Sequence, residues 1–210
     1  VKKEHPIHFI NVATDYECIP FFFFSDHDYF VIPSPLLTQR FIEGGFKEEI
    51  ILPFGISISS RFLDQEISDD IPRDKDMILL TSGSMGFGNL KKVVKQMLEE
   101  IPNTYIVVIC GNNRKMYNEL SEIDNELLIV KGFINNMSEY MKASTIVISK
   151  PGGVTTTEVA ELRKPLILMM PIPGVEDYNM KFFLNNQMCL KATNVSDLVK
   201  KTKKLLASKT

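Results

Sequence analysis

Three observations in this chain of 210 residues predict an α/β fold with a parallel sheet. Short apolar runs, most of them rich in β-branched residues, recur at 77–81, 105–110, 127–130, 145–149 and 166–170. Amphipathic stretches of helical period lie between them. The runs are apolar toward both faces, as strands must be when helices cover both sides of a sheet. Strands alternating with helices at this spacing make βαβ units, so the sheet is expected to be Rossmann-like.

The N-terminal segment reads as strands at 6–13, 29–32 and 49–52, with a helix around 35–44. These have the character of the last βαβ pieces of an earlier domain, assigned to residues 1–60. Residues 57–76 are polar and acidic and contain Pro72, the composition of a connection, and the interdomain linker is placed at 61–76. Regular alternation begins at residue 77, so 77–210 form a second domain. Its first helix, 90–101, sets Val93, Val94, Met97, Leu98 and Ile101 on one face, with Lys91, Lys92, Lys95 and Glu99 off it. Further helices are expected at 113–122, 137–143, 155–162, 177–185 and 196–207.

Composition narrows the function classes. Hydrophobic residues make up 44% of the chain, enough for a sizeable core. Lys and Arg number 24 against 26 Asp and Glu, a formal charge of −2, which argues against bulk electrostatic capture of nucleic acid. Lys200, Lys201, Lys203 and Lys204 form a basic run that reads as the solvated face of the last helix. The three cysteines, Cys18, Cys110 and Cys189, are widely spaced and form no CxxC, a poor match to a disulfide framework or a zinc site and in keeping with a reducing cytosol. Cys110 ends an apolar run and reads as a small core residue. No run of 18 apolar residues predicts a membrane span, and no signal peptide opens the sequence, which starts at Val1 and reads as a piece whose start lies upstream. The run Phe21–Phe24 could touch an acyl chain or membrane, but a core or interdomain contact is the more ordinary use of such aromatics.

Ligands of an open parallel sheet sit beyond the carboxyl ends of its strands, so the residues after each strand carry the functional signal. After the first strand come Gly83, Ser84, Met85 and Gly86, glycine-rich enough for close phosphate approach but without the P-loop lysine. After the second come Gly111 and Asn112, with Asn113 suited to a helix cap. After the third come Phe133 and Ile134, able to wall a flat base. The fourth loop is the most informative: Pro151, Gly152, Gly153, Thr155 and Thr156 at a helix start make a diphosphate cradle. Glu158 nearby could accept two neighbouring sugar hydroxyls, or serve as a helix-terminal charge. The fifth loop ends in Gly174, Glu176, Asp177 and Asn179, polar groups able to read sugar hydroxyls or an acid-rich helix start.

These motifs resemble a known family. Gly83-Ser84-Met85-Gly86, Lys150-Pro151-Gly152-Gly153 through Glu158, and Pro173-Gly174 followed by Glu176 and Asn179 are similar to the processive diacylglycerol glycosyltransferases. The monogalactosyldiacylglycerol synthases and the lipid-linked GlcNAc transferase of peptidoglycan synthesis are similar more distantly. Upstream, Thr14-Asp15-Tyr16, Asp28-Tyr29-Phe30-Val31 and Gly55-Ile56 match the end of that family's acceptor domain in order, so the resemblance covers nearly the whole chain. It implies a B-type fold of two Rossmann-like domains, of which this chain holds the C-terminal donor domain and a remnant of the N-terminal acceptor domain.

The resemblance further implies an inverting hexosyltransferase that moves a sugar from a UDP-sugar to a lipid such as diacylglycerol. It implies a peripheral location on the cytoplasmic face of the cell membrane, where an anionic lipid surface is an allowed partner, and no metal or other cofactor. Phe133 and its neighbours would face the base, and Glu158 would take the ribose hydroxyls. Gly83 to Gly86 and Gly152 to Thr156 would hold the diphosphate, while Glu176 and Asn179 would address the sugar. Two positions depart from the family: Ile19 stands where a histidine is usual, and Val175 where a glutamine is usual. Asp15 is then the remaining candidate for the acceptor's base, with most of the acceptor domain expected upstream; the chain by itself is expected to bind donor and turn over slowly or not at all. His5, His8 and His27 match no motif. The rival readings are a UDP-sugar 2-epimerase, disfavoured by the lack of a matching histidine, and a non-catalytic UDP-sugar sensor.

Overall fold

A computed structural model describes residues 7–24, 26–64, 66–81, 90–169 and 171–208. Two parallel sheets are present among them. The smaller is built from β1 (Ile10–Val12), β2 (Tyr29–Val31) and β3 (Ile51–Leu52), in that order, with α1 (Thr38–Glu43) between the last two strands. Ser34 starts the α1 region: its hydroxyl accepts from the Leu36 N–H, and Pro35 opens the short 3-10 turn that leads into the helix. The strand observed, Ile10–Val12, is shorter than the predicted 6–13, although the Phe9 carbonyl still accepts from the Asp28 N–H at 2.8 Å and the Ala13 N–H donates to the Val31 carbonyl at 2.9 Å.

The larger sheet contains β4 (Asp76–Thr81), β5 (Thr104–Ile109), β6 (Leu128–Lys131), β7 (Ile146–Ser149), β8 (Leu166–Leu168) and β9 (Leu190–Lys191). Their order is β6-β5-β4-β7-β8-β9, all parallel, so the order reverses between β4 and β7. Helices α2 (Leu90–Glu100), α3 (Arg114–Ser121), α4 (Met137–Ala143), α5 (Gly153–Glu161), α6 (Val175–Asn185) and α7 (Val195–Ala207) connect the strands or close the chain. The expected Rossmann-like sheet is therefore observed, with one strand more than the sequence signalled. β9 is two residues long, too short to give a periodicity.

Strand alternation divides the core into two layers. Met77, Leu79, Val107, Ile109, Val147 and Leu168 face one side, where Tyr140, Met141, Val159, Met180 and Phe183 of α4, α5 and α6 cover them. Ile78, Leu80, Ile106, Val108, Ile148 and Ile167 face the other, under Val93, Met97, Met116, Leu120 and Leu198 of α2, α3 and α7. Each such fully buried aliphatic side chain contributes roughly 1.5–3 kcal/mol relative to exposure, which is why the runs must be apolar at odd and even positions alike. Cys110 is fully buried in the second layer, and burial pushes its thiol up to about 11. The basic run of α7 is turned outward: Lys201 pairs with Asp197 and Lys203 with Glu100, while Leu198, Val199 and Thr202 are buried.

The smaller sheet shares the first layer. Phe30, Ile32 and Ile51 belong to the same apolar cluster as Met77 and Leu79. The connection at 61–76 is packed rather than free. Phe62 and Ile71 are buried, Arg61 Nη1 donates to the Asn135 carbonyl at 3.0 Å, Lys142 Nζ donates to the Arg61 carbonyl at 2.6 Å, and Glu139 accepts from the Ser68 N–H at 2.8 Å. The phenylalanine run divides its labour: Phe22 stacks on Phe41 and packs at a tilt against Phe30, and Phe23 packs at a tilt against Phe46, whereas Phe21 and Phe24 are 72% and 83% exposed. His8 lies at the surface, 3.8 Å from Asp28, and the His27 ring packs against Phe30 and Phe46. Among the described residues no helix is long and apolar enough to cross a membrane.

Candidate functional site

The reversal between β4 and β7 opens a crevice at the carboxyl edge of the larger sheet, the place where ligands of open α/β sheets bind. Beside it, Thr81, Ile109, Gly111, Asn112, Phe133, Ile134 and Met137 line a cavity of about 260 Å³. That is below the 300–1,000 Å³ or so of pockets that enclose a drug-sized ligand, and suits one flat ring. Its floor is the ends of β4 and β5, and its wall is Phe133, 68% exposed despite its size. An aromatic ring left open to solvent at a strand end is available for stacking. Gly111, Asn112, Phe133 and Ile134 are where the sequence leads one to expect them. Thr81 and Ile109, the last residues of their strands rather than the first after them, and Met137, which opens α4, carry no such signal in the sequence.

The β7–α5 loop brings Pro151, Gly152 and Gly153 to the crevice. The helix begins at Gly153, two residues earlier than expected, with Gly152 extended at the cap position and no side chain capping it. Main-chain N–H groups of the first turn are thereby left for an anion, and the helix end carries a partial positive charge. The threonines act differently from one another. The Thr156 hydroxyl is fully buried and donates back to the Gly152 and Gly153 carbonyls, both at 3.0 Å. The Thr157 hydroxyl reaches the Gly153 carbonyl at 2.7 Å and the Tyr16 hydroxyl at 2.7 Å. Thr155 is half-buried. Gly153 is required by space: a Cβ placed there would lie 1.9 Å from the Thr14 carbonyl oxygen.

Glu158 sits one turn into α5, half-buried, and burial pushes its carboxyl above the ordinary range. A carboxylate held partly out of water in this way is a strong acceptor for paired hydroxyls, because it has desolvation to recover on binding them.

The β8–α6 loop ends at Gly174, whose φ of +110° only glycine adopts without strain. Asp177 accepts from the Gly174 N–H at 3.0 Å, so this carboxylate caps the helix. Glu176 pairs with Lys150 at 2.5 Å and accepts from the Ile172 N–H at 2.8 Å. Asn179 is fully buried: its amide donates to Asp15 Oδ1 at 2.8 Å and to the Pro151 carbonyl at 3.0 Å, and its Oδ1 accepts from the Tyr16 N–H at 2.7 Å. Both amide hydrogens are used, and none remains for a sugar in this arrangement. The side chain expected to address a sugar instead joins the turn at Asp15 to the crevice. Asp15 itself is half-buried against the start of α5.

The structure thus brings together residues from four of the five expected loops. Gly83, Ser84, Met85 and Gly86 lie outside the described residues. Among the described residues, no group of three or more His, Cys, Asp or Glu is placed to hold a metal ion.

Comparison with known proteins gives this geometry a family. The model for monogalactosyldiacylglycerol synthase matches residues 1–58. The processive diacylglycerol beta-glucosyltransferase of Bacillus cytotoxicus is 31% identical over 206 residues, covering 93% of this chain and 53% of that protein. The chain spans about half the length of the curated relatives it matches. Two solved structures share the fold. UDP-GlcNAc 2-epimerase of Neisseria meningitidis has a TM-score of 0.71 at 13% identity, over 97% of this chain and 62% of that one. MurG of Acinetobacter baumannii has a TM-score of 0.65 at 16% identity, over 95% and 58%. The model for the glycosyltransferase family 28 C-terminal domain matches residues 77–210, which hold all of the larger sheet but Asp76, and the chain belongs to that family.

Proposed function

We propose that this chain supplies the donor side of an inverting hexosyltransferase that moves a hexose from a UDP-sugar to a lipid acceptor such as diacylglycerol, at the inner face of the cell membrane. The observation that carries the reading is the crevice itself: a one-ring cavity walled by Phe133, an uncapped helix start at Gly152 and Gly153, and a half-buried carboxylate at Glu158, all at one sheet edge. Uracil fits the cavity, Glu158 accepts the ribose hydroxyls, and the first turn of α5 holds the diphosphate. The transferred sugar then lies toward the β8–α6 loop. Its anomeric carbon is attacked by the acceptor hydroxyl from the side opposite the departing UDP, whose growing charge is met by fixed main-chain donors. Asp15, a carboxylate of the N-terminal unit held by Asn179 beside the start of α5, is the group to which the acceptor's base is assigned. Donor binding is expected to proceed without a metal. The relative named as a processive diacylglycerol beta-glucosyltransferase supports the lipid acceptor.

Calorimetric titration with UDP, UDP-glucose, UDP-galactose and UDP-GlcNAc, with and without EDTA, tests the reading. Binding insensitive to EDTA and lost in Glu158→Ala is the expected result, and the tightest ligand identifies the sugar. No binding by any of the four overturns it. The epimerase alternative is judged in the same samples: appearance of the 2-epimer from UDP-GlcNAc, followed by proton NMR, would replace the transferase reading.

A further inference from the structure

A lysine stands where the strand order reverses. β4 and β7 end together, with Thr81 paired to Ser149, so Lys150 leaves the sheet directly at the crevice. The chain then passes through Pro151 and Gly152 into the start of α5. Lys150 is partly withdrawn from water, its side chain 27% exposed, and its ammonium meets the Glu176 carboxylate, 12% exposed, at 2.5 Å. Glu176 is anchored from its other oxygen by the Ile172 N–H at 2.8 Å. The carboxylate is therefore tied to the backbone of the β8–α6 loop. The lysine is the adaptable partner, a point charge on a flexible four-carbon stem.

Such a pair adds little to stability, since the cost of removing both charges from water roughly offsets their attraction. Its location is better explained by a ligand. The start of α5 offers an anion about half a unit of positive charge, whereas Lys150 offers a whole one, beside the same loop. Glu176 keeps that charge paired when the crevice is empty.

We propose that Lys150 binds the diphosphate of the nucleotide and that Glu176 is its exchange partner. A nucleoside diphosphate draws the ammonium from the carboxylate, and the released carboxylate accepts hydroxyls of the sugar. This rests on the donor-site reading above and adds to it a cation and a coupling. UDP alone takes the lysine and leaves Glu176 half-buried without its cation. A UDP-hexose takes the lysine and brings hydroxyl donors to Glu176. Sugar and diphosphate binding are thereby linked although they engage different side chains.

The test is titration of the 210-residue chain with uridine (followed by saturation-transfer NMR), UDP and UDP-glucose. The variants are Lys150→Met, Lys150→Gln, Lys150→Arg and Glu176→Gln, each checked by thermal unfolding. Loss of a charge-assisted contact predicts UDP affinity lower by about tenfold or more in both neutral lysine variants. Uridine affinity stays within about twofold, and Lys150→Arg restores most of the UDP affinity. Glu176→Gln tightens UDP, because the lysine is no longer held, and lowers the ratio of UDP-glucose to UDP affinity. Wild-type UDP affinity in Lys150→Met or Lys150→Gln overturns the proposal, as does an equal loss for uridine and UDP, which marks a folding role. Unchanged ligand preference in Glu176→Gln overturns the exchange. A wild-type chain that binds none of the three ligands overturns the donor-site reading, and this inference with it.

Discussion

Asn179 donates to Asp15 across 164 residues of sequence, at 2.8 Å, and by doing so fastens the smaller sheet's turn to the crevice of the larger sheet. The same amide group holds the Pro151 carbonyl and the Tyr16 N–H, so three chain segments meet at one fully buried side chain. Tyr16 extends the contact. Its hydroxyl meets Thr157 at 2.7 Å, and its ring stacks on Phe182 at 4.4 Å and meets Phe183 edge-on at 5.1 Å.

Replacing Asn179 by leucine keeps the volume and removes all three hydrogen bonds. The Tyr16 N–H and the Pro151 carbonyl are then buried without partners, at a cost of about 1–3 kcal/mol for each such group. Urea unfolding of Asn179→Leu is expected to show a stability loss of about 3 kcal/mol, and Tyr16→Phe a loss of about 1 kcal/mol. Combined, the two should depart from additivity by about 0.5 kcal/mol or more, because they serve one contact. Strictly additive losses would show that the clasp is not a unit.

Gly153 fills the remaining gap in the same contact. The Thr14 carbonyl would lie 1.9 Å from any Cβ at this position, and both neighbours are backbone, so neither can swing aside. Gly153→Ala must push the 14–16 turn off α5, at about 1–3 kcal/mol for overpacking. Proteolysis should then open the chain near residues 13–17 faster than in the wild type. Gly152→Ala is the control, since nothing lies within 4 Å of its added Cβ. Equal behaviour of the two variants would show that the turn is not seated on the helix.

Much of the frame was legible in the sequence for a local reason. Strands such as 77–81 and 105–110 must bury both faces, and that requirement is written into consecutive residues. β9 was not legible, because two residues carry no period and its pairing to β8 comes from tertiary position. The loop glycines and threonines were recognisable as a helix start able to hold an anion. Their division of labour was not. That Thr156 bonds back to its own turn, that Gly153 yields space to Thr14, and that Asn179 faces Asp15 are all consequences of packing between distant segments. The ion pair of Lys150 and Glu176 joins two loops separated by a whole βα unit, and no spacing rule reports it.

Phe133 offers a separation of binding from stability. It is 68% exposed, so truncating it removes little from the core. Stacking of a base on an aromatic ring contributes about 1–3 kcal/mol. Phe133→Ala should therefore lower the affinity for UDP and for uridine by the same factor, about tenfold, with an unchanged unfolding midpoint. An undiminished affinity for both would place the base elsewhere.

Glu158 ties stability and binding together with opposite signs. Burial raises its carboxyl above the ordinary range, so the folded chain favours the protonated form. A group whose folded value is raised contributes its full stability below the unfolded value, and that contribution is lost as pH rises through the folded value. At neutral pH the ionised carboxylate is therefore a strain on the fold. Glu158→Gln resembles the protonated form and should raise the unfolding midpoint at pH 7.5, with the difference vanishing under acid conditions where the wild-type group is also neutral. Binding should respond the other way. The ionised carboxylate accepts both ribose hydroxyls, so UDP affinity should be weaker in Glu158→Gln. In the wild type, affinity should decline as pH falls, beginning at a higher pH than an ordinary glutamate would give. A thermal-melt series and a calorimetric series over the same pH range decide the matter. A variant that is more stable and binds UDP as well as the wild type would leave Glu158 a buried acid with no part in the donor site.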